Sequence, residues 1–512
     1  MTYARIITAA ACAAGAAALA LAGASCAIGR ESHRCFANDT CFAGLTCLSH
    51  RCVVLPDGLV RGGARGGDGT GSAGAGAEGS DAAAGGSVRD GSSRGARGDG
   101  HADDPARTEG AISLAAFSRT ESETDVAVAP GGRIAAAWIS SAKRHGASKI
   151  AYAFSSDGGA TWTTPLVADA GAAADSWDPA LAADAHGGFH LAWGGGRRGP
   201  DGRERGIFVA SAAPGATSFG PPVRVSAPAS KKFDKPTIAV TRRGTLLVTY
   251  DLSDGRGSAV AARSDDGGAT WTRAPIPPAR KRGRWLFAVC APPTGDRVWV
   301  TFASKEGIGL QWSSDDGRTW PAAEGAVSAP EETDAFAEMQ SSTCAGDGRN
   351  VWVLYGISPD RGGEDELPRS TAIRVARSRD GGRTFGERHD AHDRAAGSLY
   401  MLPKLVREPG GALDVAYYAG SGDRHATGSF VWSRSTDGGA TFAPALPIRG
   451  KIELDKSRSS KTWLGDYVGL TFRDGTLYTS YVDNGSGEAH VVFARAPAAG
   501  APPPAVAAEA EK

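Results

Sequence analysis

Three groups of residues have the types and spacing for chemistry. The first is a carboxylate that recurs in near-identical octapeptides. These are Asp157 in SSDGGATW (Ser155–Trp162), Asp266 in SDDGGATW (Ser264–Trp271), Asp315 in SSDDGRTW (Ser313–Trp320), Asp380 in SRDGGRTF (Ser378–Phe385) and Asp437 in STDGGATF (Ser435–Phe442). The second is a set of acidic residues, Asp125, Asp178, Asp234 and Asp466, each opening an apolar or alternating run. The third is Tyr467, with Tyr400 at the start of the preceding repeat, and the stretch His389-Asp-Ala-His392-Asp.

The octapeptide can be an active site, a metal loop or a turn. Its chemistry fits a hairpin turn. Aspartate accepts hydrogen bonds from the backbone N–H groups that follow it, glycine supplies positive φ, threonine begins the next strand, and the aromatic plugs the space between strands. A calcium loop needs more oxygen ligands and a late bidentate carboxylate, and none recurs at a fixed spacing. The five box aspartates are therefore expected to be structural. His389 and His392 fall in a loop after one octapeptide, beside Arg388 and Arg394, where a solvated loop is the expectation rather than a metal site. No cofactor or metal is expected.

The elements that must carry these residues repeat. Each unit has an apolar strand, a Gly-rich turn, a strand ending in an aromatic (Ile134–Trp138, Phe189–Trp193, Leu246–Tyr250, Val298–Phe302, Val351–Tyr355, Leu413–Tyr417, Leu477–Tyr481), a third strand into the octapeptide and a short fourth. Four short strands at a period of roughly fifty residues are the pattern of propeller blades. A decayed octapeptide, Ser211–Phe219 (SAAPGATSF), fills the gap between the first two good copies. The expectation is an all-β propeller of seven four-stranded blades over 111–497, with six as the alternative. The last unit lacks a fourth strand, and AISLAAF (Ala111–Phe117) is placed to supply it. Ring closure would remove the exposed strand edges. On this plan the four acidic starts converge on one mouth of the channel. There they either bind a cation or sugar hydroxyls or act as acid and base, or cap strand starts and bond the next blade's backbone.

The octapeptides resemble Asp boxes, the bacterial neuraminidase repeat of sialidases and other secreted β-propellers. The resemblance covers about 111–497. It implies boxes at the blade rims, between third and fourth strands, and an active site at the channel mouth. A sialidase site would need three arginines on the substrate carboxylate, an acid/base aspartate, and a tyrosine nucleophile polarised by a glutamate, outside the usual two-carboxylate pattern. Phe117-Ser118-Arg119-Thr120 keeps the aromatic and arginine of the family's first arginine motif and departs from the rest. Tyr467 stands where the nucleophile would, Glu338 is the candidate partner, and Arg284 and Arg374 are further arginines. The alternative for Tyr467 is packing between blades. The implied functions are a binding propeller presenting its channel face to a glycan or envelope protein, or an exo-sialidase-type hydrolase.

The remaining chain sets the context. Residues 1–25 read as a secretory signal: one arginine, then an apolar run from Ile6 to Ala24. Ala22-Gly23-Ala24 would release the protein, whereas Leu21–Cys26 resembles a bacterial lipoprotein signal that would lipidate Cys26. Past Cys12 the N-terminal cluster holds Cys26, Cys35, Cys41, Cys47 and Cys52. With Cys26 lipidated, the other four suffice for two disulfides, or for a zinc site; an exported compartment favours disulfides. Residues 26–56 thus form a small Cys-rich segment, 57–110 a Gly/Ala/Ser-rich tether without aromatics, and 498–512 a Pro/Ala-rich tail. The distant pair Cys290 and Cys344, in similar registers of neighbouring repeats, reads as a disulfide or two buried thiols. Lys+Arg and Asp+Glu balance at 56 each, so no basic field draws the chain to nucleic acid. The expectation is a monomer at the bacterial envelope, as an outer-membrane lipoprotein or secreted, touching membrane only through its anchor.

Overall fold

A computed structural model describes residues 46–48, 51–53, 112–114 and 120–498, apart from 142–147, 169–174, 200–201, 228–232, 253–257, 279–283, 305, 330–331, 333–341, 358–371, 393–397, 422–426 and 455–461. The chain divides into two units, 1–98 and 99–512. In the first, Thr46–Leu48 and Arg51–Val53 pair as a two-stranded hairpin in which Cys47 stands opposite Cys52. Cys26, the expected lipidation position, and the candidates Arg119 and Glu338 lie outside the described residues.

The second unit folds as seven four-stranded antiparallel sheets. We number the blades 1 to 7 in chain order. Their first strands are Thr120–Val128, Asp175–Ala183, Asp234–Val240, Arg284–Cys290, Thr343–Gly346, Ser398–Arg407 and Gly469–Arg473. Each touches the next, and the last touches the first, so these strands line the axis of a closed ring. This is the seven-bladed β-propeller that the repeat predicts. The second strands, such as Ile134–Ser141 and Val298–Ser304, are almost wholly buried. Both of their faces pack against neighbouring blades, so they read as continuous apolar runs rather than alternating ones.

Blade 7 takes its fourth strand from the other end of the second unit. Ile112–Ser113 pairs with Val492–Phe493, and the Leu114 N–H donates to the Val491 carbonyl at 2.9 Å. Leu114 is 4% exposed and belongs to the core shared by blades 1, 6 and 7. Leu114→Ala should cost about 2–4 kcal/mol, read as a shift in urea midpoint.

A disulfide joins Cys290, at the end of the first strand of blade 4, to Cys344 in the first strand of blade 5, with Cα atoms 5.9 Å apart. It staples neighbouring blades on the channel side. Cys290→Ser/Cys344→Ser should lose about 2–4 kcal/mol, since the bridge closes a loop of 54 residues. The wild type melted with reductant should match the double variant.

The five octapeptides are one turn drawn five times. In the first, Ser155 Oγ donates to Asp157 Oδ1 at 2.8 Å and accepts the Gly159 N–H at 2.8 Å. The Thr161 N–H and hydroxyl donate to the two oxygens of Asp157 at 2.9 and 2.5 Å. The same set recurs around Asp266, Asp315, Asp380 and Asp437. The threonine bonds hold the carboxyl of Asp157 below its ordinary range and that of Asp266 near about 2. A lowered folded-state pKa stabilises above the unfolded value of about 4 and is lost as pH falls toward about 2. The boxes should therefore contribute fully at neutral pH, and their contribution should fade only in acid, as pH falls from about 4 toward about 2.

The box backbone also ties blades together. The carbonyl of Gly158 accepts from Arg495 of blade 7 at 2.6 Å, that of Gly381 from Trp299 of blade 4 at 3.0 Å, and that of Gly438 from Trp352 of blade 5 at 2.8 Å. All of these boxes sit between third and fourth strands, at the end of the ring where the first strands finish.

Candidate functional site at the channel mouth

At the opposite end the first strands begin. Five first strands break their ladder near this end, between Ser122 and Thr124, Trp177 and Ala180, Asp234 and Thr237, Leu286 and Ala288, and Met401 and Lys404. Four of these bulges hold a non-glycine residue in the left-handed region: Glu123 (φ 44°), Asp178 (φ 52°), Lys235 (φ 50°) and Leu402 (φ 52°). Such conformations are costly and gather at functional sites. Pro179, Pro236 and Pro403 follow three of them, and a bulge is where a strand tolerates a residue without an N–H.

The bulges bring together Glu123, Asp178, Lys235, Asp466 and Tyr467 from blades 1, 2, 3 and 7. The Lys235 ammonium lies 2.8 Å from Asp466 Oδ2 and 3.7 Å from Asp178 Oδ1. The Lys235 backbone N–H donates to Asp178 Oδ2 at 3.1 Å. The Tyr467 hydroxyl donates to Glu123 Oε2 at 3.4 Å, and the Lys235 ammonium stands 6.0 Å from the Tyr467 ring centre. Gly465 makes this approach possible: a Cβ there would lie 2.5 Å from the Glu123 nitrogen.

These groups are buried or half-buried, and their carboxyl groups outnumber the one lysine among them. Burial opposes the Lys235 charge, yet Asp178, Asp466, Glu123 and Asp234 outweigh it and hold the ammonium well above the usual range. Burial, then Asp178 and Asp466, push the Glu123 carboxyl well up. Burial and Asp178 raise Asp234 to about 6. Burial raises Asp125 against the pull of Lys404 and the Leu181 N–H. Burial and the Glu123 carboxyl push the Tyr467 hydroxyl well up, so it keeps its proton at neutral pH.

The channel space here is about 70 Å³, lined by Asp125, Asp178, Lys235, Ser342, Lys404, Asp466 and Tyr467 among others. That admits a few waters or one small polar group, not a sugar ring. Further along the axis a second space of about 260 Å³ reaches Arg473.

The acidic starts divide. Asp125 Oδ2 accepts the Leu181 N–H of blade 2 at 2.9 Å, and Asp178 accepts a backbone N–H of blade 3. Bonding to the next blade's backbone is thus realised, and the mouth cluster exists beside it. Asp234 stands behind Lys235, within reach of Asp178. Among the described residues, no arginine lines the mouth. Arg374 is on the third strand of blade 5, tied to Glu332 and Asp390; Arg284 opens the first strand of blade 4. Tyr400 is buried under His392, with ring centres 3.9 Å apart. His392 is itself 7% exposed, which corrects the solvated-loop expectation for that residue, because its ring fills the space over Tyr400. Sequence reasoning missed Glu123, Lys235 and Ser342. The signal available was the residue before proline in matching registers, Asp178-Pro179, Lys235-Pro236 and Leu402-Pro403.

A family model described as the BNR repeat-like domain matches residues 132–415. The chain belongs to the BNR repeat-like family. No curated protein matches it. Among solved structures, this BNR repeat-like chain is similar to a protein of unknown function from Dyadobacter fermentans, at 18% identity and TM-score 0.45, covering 77% of this chain and 99% of that one. It is also similar to the Trypanosoma rangeli sialidase, at 15% identity and TM-score 0.42, covering 76% of this chain and 57% of the other. The NanB sialidase from Streptococcus pneumoniae is 12% identical with TM-score 0.40, the match covering 77% and 70%. At these identities the likeness is one of fold.

Proposed function

We propose that this protein is an exported, lipid-anchored binding propeller, and that its channel mouth receives a glycan at the cell envelope. One observation carries the reading: polar groups from four blades converge at the mouth on strained bulges and satisfy one another around Lys235. A site held by its own ion pairs is preorganised for recognition. The test is titration of the full chain with a panel of neutral, acidic and amino oligosaccharides. Binding weakened at least about tenfold by Asp178→Asn supports it; no binding, or binding indifferent to the mouth, overturns it. An envelope protein as ligand would appear as capture by the mouth without saccharide binding.

A second reading, a sialidase-type hydrolase, has the Tyr467–Glu123 pair in its favour. Against it stand a glutamate whose burial opposes the charged form that would polarise the tyrosine, and carboxylates where an acidic sugar's carboxylate would have to go. The binding reading expects no cleavage of a fluorogenic sialoside. Cleavage abolished by Tyr467→Phe would establish the hydrolase instead.

Anchoring rests on the signal-like N-terminus and Cys26. Fatty-acid labelling of cells should be lost on Cys26→Ala, and label that survives refutes the anchor.

A further inference from the structure

The mouth's ligand class follows from what remains unanswered inside it, granted that the mouth is the binding site. The carboxyl groups lining it are Asp125 from blade 1, Asp178 from blade 2 and Asp466 at the entry to blade 7, with Glu123 and Asp234 behind them. The cations are Lys235 and, beside Asp125, Lys404. Among the described residues, the lining carboxylates of Asp125, Asp178 and Asp466 outnumber the ammonium groups of Lys235 and Lys404. A further independent feature is Ser342, just before the first strand of blade 5. It is 1% exposed, lines the same cavity, and its hydroxyl has no hydrogen-bond partner among the described residues. A buried hydroxyl without a partner costs free energy, and an entering group that donates to it recovers that loss.

We infer that the mouth binds a primary ammonium group, carried by an amino saccharide, which enters end-on between Ser342 and the acidic residues of blades 1, 2 and 7. The cavity of about 70 Å³ suits one ammonium or aminomethyl-sized group while the sugar rings stay outside. Lys235 shows what such a cation gains there, with a carboxylate at 2.8 Å. An anionic sugar would meet the same carboxylates as repulsion. A neutral N-acetyl group brings a donor but no charge, and is bulkier.

Proton linkage gives the inference its own signature. Asp234, raised to about 6, is partly protonated near that pH, and a second cation would displace its proton. Binding should therefore release protons and weaken as pH falls below about 6, where Asp234 protonates. The ligand amine becomes more fully charged in that direction, so the weakening comes from the protein.

The experiment is calorimetric titration of the full chain with a β-1,4-linked glucosamine oligosaccharide, its N-acetylated counterpart, sialyllactose and a short lysine peptide, at about pH 5 and about pH 7. The expected result is at least about tenfold preference for the free amine over the N-acetylated sugar at the higher pH. The preference should shrink at the lower pH, with proton release seen as a buffer-dependent heat. Ser342→Ala should weaken amine binding several-fold, and Asp466→Asn provides a second variant with its fold checked by melting. Equal binding of the acetylated sugar, tighter sialyllactose, tighter lysine peptide or no amine binding each overturns the inference. Mouth-dependent binding of the acetylated sugar or sialyllactose would leave the binding reading standing. Loss of all mouth-dependent saccharide binding would remove both.

Discussion

Lys235→Met is expected to cost about 3–5 kcal/mol at neutral pH, among the largest effects of any single change at the mouth. The lysine is the cation between Asp178, which is 4% exposed, and Asp466, which is 7% exposed. Methionine keeps the stem's packing and leaves two carboxylates buried without a counter-ion. Buried carboxylates that have lost their lysine are costly wherever they must carry charge. That cost applies above the unfolded carboxyl value of about 4 and vanishes below it. The deficit should therefore be large at about pH 8 and shrink toward pH 4–5. In the wild type the raised Lys235 pKa works the other way: its contribution is fully present below about 10.4 and is lost only as pH rises through the folded-state value. Urea midpoints at the two pH values read this directly. Arg243→Met, which removes an exposed pair with Asp296, serves as comparison and should leave the urea midpoint nearly unchanged at both pH values. A Lys235→Met deficit that is the same at both pH values would mean that packing, not charge, explains it.

Gly159→Ala should be of similar size, on the order of 3–5 kcal/mol, from left-handed strain together with overpacking. Gly159 has φ 93°, and a Cβ there would run into the ring of Phe493. Phe493 is fully buried in the third strand of blade 7, with Trp162 edge-on at 4.9 Å, so it has nowhere to retreat. Gly131→Ala separates the two causes. Its φ is 86°, but nothing lies within 4 Å of the added carbon, so it should cost only about 1–2 kcal/mol. Equal costs at the two glycines would refute the role given to Phe493 as the plug under the first box.

The boxes were legible because their chemistry is local. Serine, aspartate, glycine, threonine and aromatic meet within eight positions, so a turn can be deduced without knowing where it sits. The closing strand at Ile112–Ser113 was legible for a topological reason: a ring with one three-stranded blade leaves an edge. The mouth was only half legible. Asp125, Asp178, Asp234 and Asp466 read as equivalent strand starts, and their convergence followed from blade symmetry. Their neighbours did not. Lys235 follows Asp234 in sequence, yet the left-handed bulge turns it, rather than Asp234, toward Asp466. Glu123 meets Tyr467 across 344 positions, a distance that one sequence without its fold does not bridge. Ser342 looked like any loop serine until the cavity wall was known.

The central claim is that the acidic channel mouth, not the repeated box, is where this propeller meets its ligand. Backbone hydrogen exchange of the full chain, with and without the amino oligosaccharide, tests it most directly. The account predicts added protection around Asp178–Ala180, Lys235–Thr237, Ser342–Thr343 and Asp466–Tyr467, with the segments around Asp157, Asp266, Asp315, Asp380 and Asp437 unchanged. Protection confined to those box segments would contradict it.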